Sequence, residues 1–446
     1  MVPPTRRPQI PRGPHLVVGL ARSGLAAALA LRARGEEVIG LDAGTPPGTQ
    51  ALGEAGVEVH VGQDGLALLQ RVRSVIKSPG VPAEAPVIAA ARERGLPVVG
   101  ELELAWRMLA NEFIAVTGTN GKTTTVELIG QIHREAGLPV AVAGNVGTAV
   151  SSIVGIVGAE TTIVCEVSSF QLEDTVDFAP EAAVLLNISP DHLDRHHTFE
   201  AYQRAKLLLF ARQGNDDVAV APLDLGVEDL GGCARRVRFG SEPAASVSLR
   251  AGELWWEERP LLAVEEVRLR GAHNVENAMA ASAVCLARGI EEDAVRAGLR
   301  SFAGVAHRLE EVASRDGVLF VNDSKATNIA STEVALSAFV DGGPIHLILG
   351  GQGKGQDFSE LRGAVERSCA AVYLIGQDAP LIAAALAGIE VPVADCDDLE
   401  RAVPAARLAA EPGEVVLLSP ACASFDQFAD FEARGERFRA LVADQG

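Results

Sequence analysis

The sequence has little positive charge. Lysine and arginine together contribute 39 residues against 59 aspartates and glutamates, which gives a formal net charge of −20 at pH 7. An electric field of that sign repels phosphate backbones and anionic membrane surfaces, so we expect no nucleic acid among the partners of the chain. The sequence has no uninterrupted apolar run of about 18 residues, and its first residues lack the apolar core of a secretory signal. We therefore predict no membrane span and a cytoplasmic location.

Paired cysteines are absent as well. The six cysteines are scattered without a Cys-x-x-Cys pair, which argues against a zinc site and against a disulfide framework. Lysine is scarce, because five lysines stand against 34 arginines. A position that keeps lysine in such a chain is a candidate for a role that needs a compact ammonium group or a nucleophilic amine. The five are Lys77, Lys122, Lys206, Lys325 and Lys354.

Apolar strands alternate with helical stretches along the 446 residues, a length that suits about three domains. This alternation predicts an α/β fold with parallel sheets, whose ligands bind at the carboxyl ends of the strands. We expect a flexible tail over 1–14, which is rich in proline and arginine, and a Rossmann-like domain over 15–100. A central domain of the P-loop ATPase type is expected over 101–304, and a second Rossmann-like domain over 305–446. Irregular or antiparallel strands are expected between 222 and 270.

The motif TGTNGKTTT at 117–125 follows an apolar strand and precedes a helix. In that setting glycines let backbone N–H groups face phosphates, Lys122 bridges the phosphates, and Thr123 ligates Mg²⁺. The usual spacing requires a glycine at 116, where valine stands, so the loop is a variant. A glycine-rich turn with an incidental lysine is the alternative. The residues assigned to the nucleotide are Gly118, Thr119, Asn120, Gly121, Lys122, Thr123 and Thr124.

Three further candidates follow the phosphate loop. Glu166 lies in the apolar run TTIVCEVSS, where a carboxylate is costly unless it is paired, either by Mg²⁺ or in a core salt bridge. His192 belongs to NISPDHLDRH at the end of the next strand, which favours a metal or substrate role over a structural one. Lys206 lies in FEAYQRAKLLLF, where a lysine extending to solvent is the alternative. The scarcity of lysine argues against that alternative.

The first domain carries a weak dinucleotide signal. A G-x-A-x-x-G turn is followed by an aspartate eighteen residues after its last glycine, and its middle glycine is replaced by alanine. The pattern favours a nucleotide diphosphate or a ribose without identifying NAD. The segment Ser78-Pro79-Gly80 is expected at a neighbouring strand end. The residues of the pattern are Gly19, Ala21, Gly24 and Asp42.

Strand ends in the last third of the chain carry lysines and hydroxyl groups. The motifs VNDSKATN and LGGQGKGQDF each place a lysine after an apolar strand, and LSPACASFDQF adds serines at another strand end. Because lysines and hydroxyls suit a carboxylate, these loops are expected to bind a small acidic ligand.

Taken together, the motifs of the chain resemble those of the Mur ligase family of ATP-dependent peptide-bond-forming enzymes. The resemblance covers essentially all of the sequence and rests on TGTNGKTTT, EVSSFQLE, NISPDHLDRH, GAHNVENA, AHRLE and NDSKATN. Within that family, GLARSG, GGQGKG and LLSPACASFDQFADFEARGERF are most similar to the members that add D-glutamate to UDP-N-acetylmuramoyl-L-alanine in peptidoglycan precursor synthesis. The resemblance implies a UDP-binding first domain, an ATP-binding central domain and an amino-acid-binding last domain.

The resemblance also implies roles for individual residues. Lys206 matches a lysine that CO₂ carbamylates, so that it holds a second Mg²⁺ together with His192, while Thr123 and Glu166 hold the first. Lys122, His192 and Lys206 are the implied catalytic residues. Further implied contacts are Asn274, Asn277, Arg308 and Asp323 for ATP, Arg22, Ser23, Asp42, Ser78, Gly80 and Asn145 for the UDP substrate, and Lys325, Thr327, Lys354, Ser424 and Phe431 for D-glutamate.

The expected reaction is ATP-dependent amide formation through an acyl phosphate, carried out by a monomer. Another Mur ligase activity or a folylpolyglutamate-type ligase is the nearest alternative, although a UDP-type first domain argues against the latter. A nucleotide-controlled switch accounts for the phosphate loop but leaves the lysine-bearing last domain unexplained. A nicotinamide-dependent oxidoreductase depends on the weak first-domain turn alone.

Overall fold

The computed structural model describes residues 7–227, 229–269, 271–339, 343–353 and 355–444, with the backbone alone at 193 and 194. The described residues divide into two compact units. One unit runs to Val267 and includes His273–Ser301, and the other comprises Arg268–Ala272 and the chain from Phe302 onward. No helix among these described residues is long and apolar enough to cross a membrane.

The first sheet is parallel throughout and has the order β3-β2-β1-β4-β5. Its strands are β1 His15–Val18, β2 Val38–Asp42, β3 Glu58–Val61, β4 Ser74–Lys77 and β5 Val98–Gly100. The helices are α1 Arg22–Ala33, α2 Thr49–Glu54, α3 Pro86–Glu93 and α4 Glu101–Met108, with a 3₁₀ turn at Leu66–Gln70. The strand order reverses between β1 and β4, and a crevice at such a reversal is where open α/β sheets bind ligands.

Glycines set the start of α1. Gly19 has φ of 84°, and a Cβ on Gly24 would overlap the Gly19 carbonyl. Because only glycine allows this approach, the first turn of α1 packs directly against the end of β1. The turn of the weak dinucleotide pattern is therefore required by local packing.

The second sheet belongs to the same unit and has the order β14-β13-β12-β11-β10-β9-β6-β8-β7. Its strands are β6 Phe113–Thr117, β7 Val140–Gly144, β8 Thr162–Glu166, β9 Ala182–Leu185, β10 Val218–Pro222, β11 Arg235–Gly240, β12 Val247–Arg250, β13 Glu253–Trp256 and β14 Arg259–Ala263. The helices are α5 Lys122–Glu135, α6 Ser169–Leu172, α7 Leu193–His196, α8 Phe199–Leu207, α9 Ala272–Ala287 and α10 Glu292–Ser301, with 3₁₀ turns at Val150–Ile153 and Val264–Glu266.

The expectation for 222–270 is only partly right. β13 pairs antiparallel with both β12 and β14, as expected, but β11 and β12 continue the parallel part of the sheet. β11 contains three arginines in RRVRFG, so it is not an apolar run and was not predicted as a strand of the parallel sheet.

The third sheet lies in the other unit and has the order β15-β16-β20-β17-β18-β19. β15 is antiparallel to β16, and the remaining pairs are parallel. The strands are β15 Glu310–Arg315, β16 Val318–Asn322, β17 Ile345–Gly350, β18 Cys369–Ile375, β19 Val393–Asp397 and β20 Val415–Leu418. The helices are α11 Ile329–Ser337, α12 Arg362–Ser368, α13 Ala379–Ala385, α14 Leu399–Ala409 and α15 Phe431–Asp444, with a 3₁₀ turn at Phe358–Leu361.

The segment before β1 differs from the flexible tail expected over 1–14. Residues 1–6 lie outside the described residues, but Arg7 is anchored. Its guanidinium lies 4.4 Å from the centre of the Trp106 ring, donates to the Asn111 carbonyl at 2.7 Å and pairs with Glu181 at 3.0 Å. The proline and arginine content predicted flexibility. A cation–π contact produces no periodic pattern in the sequence, so nothing there indicated that Arg7 is anchored.

Candidate active site

The phosphate loop lies between β6 and α5, at the carboxyl edge of the second sheet. Gly118 and Gly121 both have positive φ, and a Cβ on Gly121 would overlap Oδ1 of Asn277. Val116, which stands where the usual spacing has glycine, is a fully buried residue of β6 that pairs with Glu166 and Val184. The variant spacing therefore leaves two glycines of positive φ, Gly118 and Gly121, in the loop and a core residue in the strand.

Lys122 and Thr123 open helix α5. Nζ of Lys122 donates to the carbonyls of Gly118 and Thr119, at 3.0 and 2.9 Å, so the ammonium group spans the loop. Oγ1 of Thr123 donates to Oε2 of Glu166 at 2.8 Å. The structure thus brings together three residues that the sequence assigned to phosphate and metal binding.

Glu166 ends strand β8 and is only 3 % exposed. Its second oxygen accepts a hydrogen bond from Nδ2 of Asn145 at 3.1 Å. The hydrogen-bond partners of this buried carboxylate are therefore a hydroxyl and a carboxamide. Asn145, assigned to the UDP substrate, is thereby placed beside the phosphate loop.

Lys206 on α8 is 2 % exposed, so it does not extend to solvent. Its Nζ donates to the Gly118 carbonyl at 2.8 Å and lies 4.5 Å from the centre of the Tyr202 ring. Burial, followed by the positive charge of Lys122, lowers the pKa of Lys206 to about 7. A substantial fraction of this amine is therefore neutral at physiological pH.

The two histidines of DHLDRH differ in environment. His192 has φ of 50°, and its half-exposed ring lies 4.9 Å from Phe170 and 6.5 Å from Tyr202. His196 is buried, with Nε2 2.9 Å from the Ser169 hydroxyl and Nδ1 3.2 Å from the Glu173 carboxylate. His192 is thus the more accessible of the two.

The donor set of the loop suits magnesium. Among the side chains that the structure describes, no group of three or more His, Cys, Asp and Glu residues could hold a metal ion. Mg²⁺ does not need such a group, because it keeps several waters and binds through one or two carboxylates together with substrate phosphates. The Thr123 hydroxyl and the Glu166 carboxylate, adjacent at a phosphate loop, fit that pattern.

Helix α9 supplies two amides predicted to contact ATP. Oδ1 of Asn277 accepts from Oγ1 of Thr125 at 3.3 Å, and Nδ2 of Asn277 donates to Oδ1 of Asn274 at 3.1 Å. Since Thr125 lies in the first turn of α5, both asparagines are brought to the phosphate loop.

The residues of the first domain assigned to the UDP substrate lie at the carboxyl ends of β1, β2 and β4. Oγ of Ser78 donates to the Gly19 carbonyl at 2.7 Å, and the Asp42 carboxylate accepts from the backbone of Leu20 and Gly44, at 2.6 and 2.8 Å. Arg22 is exposed and donates to the Gly147 carbonyl at 2.6 Å, which joins this turn to the loop that carries Asn145. Ser23 is half-buried and Gly80 is exposed.

In the other unit, Asp323 follows β16 and is buried. It accepts from the Ser419 hydroxyl at 2.8 Å and the Leu309 backbone at 3.2 Å. Burial raises the pKa of Asp323 to about 7, against the effects of its hydrogen bonds and of the Arg308 charge. The two residues assigned to ATP from this unit therefore interact with each other.

The loops assigned to D-glutamate share one buried cation. Nη2 of Arg434 donates to the carbonyls of Ser324 and Cys422, at 2.9 and 3.0 Å, and the Ser324 hydroxyl donates to the Phe431 carbonyl at 2.8 Å. These contacts flank Lys325, buried Ser424 and Phe431 itself, while Thr327 is half-buried before α11. Lys354 lies outside the described residues. Arg434 was not singled out from the sequence, where one arginine among many carries no signal.

Known protein families match the sequence in three consecutive blocks. The Mur ligase MurD-like N-terminal domain matches residues 14–100, the Mur ligase middle domain matches 116–285, and the Mur ligase glutamate ligase domain matches 307–422. The chain belongs to the Mur ligase family.

Curated relatives resemble this Mur ligase over nearly its whole length. A UDP-N-acetylmuramoylalanine--D-glutamate ligase from Acidobacterium capsulatum is 44% identical and covers 96% of this chain and 95% of its own. A protein of the same name from Pelotomaculum thermopropionicum is 43% identical, with 96% of each chain covered. The predicted family is therefore confirmed, and this Mur ligase is an enzyme of the ligase class.

Solved structures support the fold of this Mur ligase. The UDP-N-acetylmuramate-alanine ligase of Thermotoga maritima superimposes with a TM-score of 0.61 at 19% identity, covering 98% of this chain and 100% of its own. A Thermotoga maritima MurF ligase in complex with ADP gives 0.56 at 18% identity, covering 86% and 93%. The predicted α/β fold is confirmed.

One lysine of this Mur ligase has a role that the sequence did not reveal. Lys77 ends β4 with 1 % exposure, and its Nζ donates to Oδ2 of Asp174 at 2.5 Å. Asp174 also accepts from the Gly100 backbone through its own carbonyl at 2.9 Å. Asp174, in the segment after α6, therefore bonds to the ends of both β4 and β5 of the first sheet.

Proposed function

We propose that this Mur ligase joins D-glutamate to UDP-N-acetylmuramoyl-L-alanine with ATP, in peptidoglycan precursor synthesis, as a monomer in the cytoplasm. The names of relatives at 44% and 43% identity support the substrates. The match of the last domain to a glutamate ligase domain supports the amino acid class. The domain limits 15–100, 101–304 and 305–446 are part of this proposal.

The observation that carries the proposal is the convergence of two lysines on the phosphate loop. Nζ of Lys122 and Nζ of Lys206 both donate to the Gly118 carbonyl, and Thr123, the residue after Lys122, donates to Glu166. Phosphoryl transfer needs positive charge where the phosphate oxygens gather, which Lys122 supplies, and Lys206 places an amine that can be carbamylated beside the same loop. A loop with this content suits the transfer of a phosphoryl group to a substrate carboxylate.

Carboxylate activation explains why ATP is consumed. A carboxylate is a poor electrophile, and it has no good leaving group at neutral pH. After its phosphorylation, phosphate is the leaving group when the amine of the amino acid attacks the acyl carbon. Lys122 would neutralise the charge on the transferred group during the first step.

Thr123 and Glu166 would hold one Mg²⁺, and carbamylated Lys206 with His192 would hold a second. When bound, the ions neutralise charge on the phosphate oxygens. Of the residues named, Thr123 and Glu166 are already hydrogen-bonded to each other.

The chemistry of Lys206 supports its carbamylation. CO₂ reacts with a neutral amine, and burial lowers the pKa of Lys206 to about 7. The reaction converts a buried cation into a carboxylate-like group, which arginine cannot provide. The same burial that makes an ammonium ion costly here thus favours the modification.

Substrate contacts are proposed from the remaining residues. Asn274, Asn277, Arg308 and Asp323 would contact ATP. The UDP substrate would be bound by Arg22, Ser23, Asp42, Ser78, Gly80 and Asn145, and D-glutamate by Lys325, Thr327, Lys354, Ser424 and Phe431. Support comes from the Arg22–Gly147 and Asn145–Glu166 hydrogen bonds, which connect the proposed UDP site to the phosphate loop.

The test is phosphate release from ATP in the presence of Mg²⁺ and UDP-N-acetylmuramoyl-L-alanine. D-glutamate, L-glutamate, L-alanine, L-lysine and meso-diaminopimelate are added one at a time. We expect D-glutamate alone to stimulate release and to yield a product heavier by one glutamate residue. Lys122→Gln should abolish release, whereas Arg71→Gln, at an exposed site just after the 3₁₀ turn Leu66–Gln70, should retain it.

Other outcomes contradict parts of the proposal. Stimulation by another amino acid would keep the family and overturn the substrate. Stimulation only when a folate replaces the UDP substrate would favour a folylpolyglutamate-type ligase. Nucleotide binding without stimulation by any amino acid would favour a nucleotide-controlled switch.

A further inference from the structure

The segment after β9 is bonded closely to the phosphate loop. Oδ1 of Asn187 accepts from two consecutive backbone N–H groups, those of Thr119 at 3.1 Å and of Asn120 at 2.9 Å. Nδ2 of the same side chain donates to the Asn120 carbonyl at 3.3 Å. One carboxamide therefore holds two residues of the loop through both of its polar atoms.

The backbone of this segment adds further contacts. The Thr119 N–H also points to the Asn187 carbonyl at 3.1 Å. The Ser189 N–H donates to Oγ1 of Thr119 at 3.0 Å, and that hydroxyl is 3.2 Å from the Ser189 carbonyl. Residues 119 and 120 are thus hydrogen-bonded to the segment that follows β9, in addition to being joined by the chain to helix α5.

A glycine-rich loop needs such support. Gly118 and Gly121 flank residues 119 and 120, and each has a φ that other residues rarely adopt. Glycine gives access to this conformation but also to many others, which reduces the population of the binding conformation. The apparent affinity for a ligand falls with the fraction of molecules in the competent conformation.

We propose that Asn187 is a positioning residue for ATP, which holds the phosphate loop in its binding conformation. The inference rests on the proposed function in one respect, that ATP binds at this loop. Asn187 follows β9 and is half-buried. Within the described part of the chain, its side-chain hydrogen bonds go to loop residues 119 and 120. Its removal should therefore change the loop more than the core.

The test compares two asparagines of the same unit. Asn111 is buried and lies just before β6. Its Nδ2 donates to the carbonyls of Gly158 and Thr161, at 2.8 and 2.9 Å. Leucine has the same branched arrangement of heavy atoms as asparagine and no polar atom, so Asn187→Leu and Asn111→Leu each remove one carboxamide. Asn187→Ser, a smaller change, serves as a second variant of the loop.

Calorimetry with a non-hydrolysable ATP analogue and Mg²⁺, without the other substrates, gives the affinity, and thermal unfolding gives Tm. We expect Asn187→Leu to raise the Kd for the analogue about tenfold, and Asn187→Ser to raise it in the same direction. Asn111→Leu should lower Tm and leave the Kd within about twofold of the wild type. In the ligase assay, Asn187→Leu should raise the KM for ATP while the KM for the UDP substrate stays unchanged.

Two results would overturn the inference: a wild-type Kd in both Asn187 variants, or an affinity loss in Asn111→Leu equal to that in Asn187→Leu. Failure of the proposed function is distinguishable. A wild-type protein that binds the analogue but releases no phosphate with D-glutamate would overturn the reaction, while the affinity comparison would still decide the role of Asn187.

Discussion

At the residue scale, the few lysines show how composition can identify a site. Lys122 and Lys206 both donate to the Gly118 carbonyl, and Lys206 is buried where a lysine extending to solvent was the alternative. Lys77 is buried too, but beside Asp174 rather than in the loop. The scarcity of lysine therefore predicts positions where an amine has a specific role. In the structure that role is different for Lys77, which pairs with a carboxylate, and for the two lysines of the phosphate loop.

Replacement of Lys206 should separate its carboxylate-like role from its positive charge. We expect Lys206→Ala to lose ligase activity and short carboxylic acids to restore part of it, because they can occupy the space of the carbamate. Lys206→Arg should stay inactive with or without the acids, since guanidinium does not form a carbamate. Phosphate release measures both effects. Normal activity of the alanine variant would remove the carbamate from the account.

The pH dependence of carbamate formation follows from the environment of Lys206. Its pKa of about 7 means that the amine is protonated below pH 7 and neutral above it. The neutral amine adds CO₂ and releases one proton, and the ammonium form must lose a further proton first. At fixed dissolved CO₂ the carbamylated fraction should therefore rise with pH, with a steeper dependence below about 7 than above it. Isotope-labelled CO₂ and carbon NMR, in the absence of Mg²⁺, measure this fraction. A change from the steep to the shallow pH dependence near the ordinary lysine value of 10.5, instead of near 7, would contradict the role of burial.

At the element scale, strand–loop–helix patterns were predictable, and contacts between distant segments were not. The loop between β6 and α5 was found because its glycines and lysine follow an apolar strand. Glu166 was found because a carboxylate stands out in an apolar run. Asp174 and Arg434 gave no such signal, because each acts through partners far away in sequence, such as Lys77 and Ser324.

Breaking the Lys77–Asp174 pair should lower the free energy of unfolding strongly, whereas replacing both residues with apolar ones should lower it little. Removing one partner of a buried ion pair destabilises a protein by about 3–5 kcal/mol, whereas an apolar pair is often neutral. Arg92 lies 3.6 Å from the other Asp174 oxygen, so Lys77→Met should lower the free energy of unfolding by about 3 kcal/mol. Lys77→Met with Asp174→Leu should recover most of that loss.

Denaturant unfolding measures these changes, and an exposed ion pair supplies the control. Arg71 and Glu58 pair at 2.6 Å on the surface of the first sheet, so Arg71→Met should leave the free energy of unfolding nearly unchanged. If the double variant were as unstable as Lys77→Met, this prediction would be wrong. The pair would then stabilise the fold by more than the neutralisation of each buried charge by the other.

At the scale of the whole molecule, the α/β class and the family were predictable because strands, helices and motifs alternate in a fixed order along the chain. The anchored segment at Arg7 was not, because a proline- and arginine-rich stretch without apolar periodicity gives no sign of a ring beneath it. The parallel pairing of β11 with β12 was hidden by arginines in the strand. A contact between distant segments accounts for the first difference, and the polar composition of the strand accounts for the second.

The central claim is that the molecule activates a carboxylate by phosphorylation, and the most direct test follows an oxygen atom. UDP-N-acetylmuramoyl-L-alanine is labelled with heavy oxygen in its alanine carboxylate and converted with ATP and D-glutamate, and the released phosphate is analysed by mass spectrometry. An acyl phosphate predicts one heavy oxygen in each phosphate, because the attacking carboxylate oxygen leaves with phosphorus. Unlabelled phosphate, or label in AMP, would contradict the account.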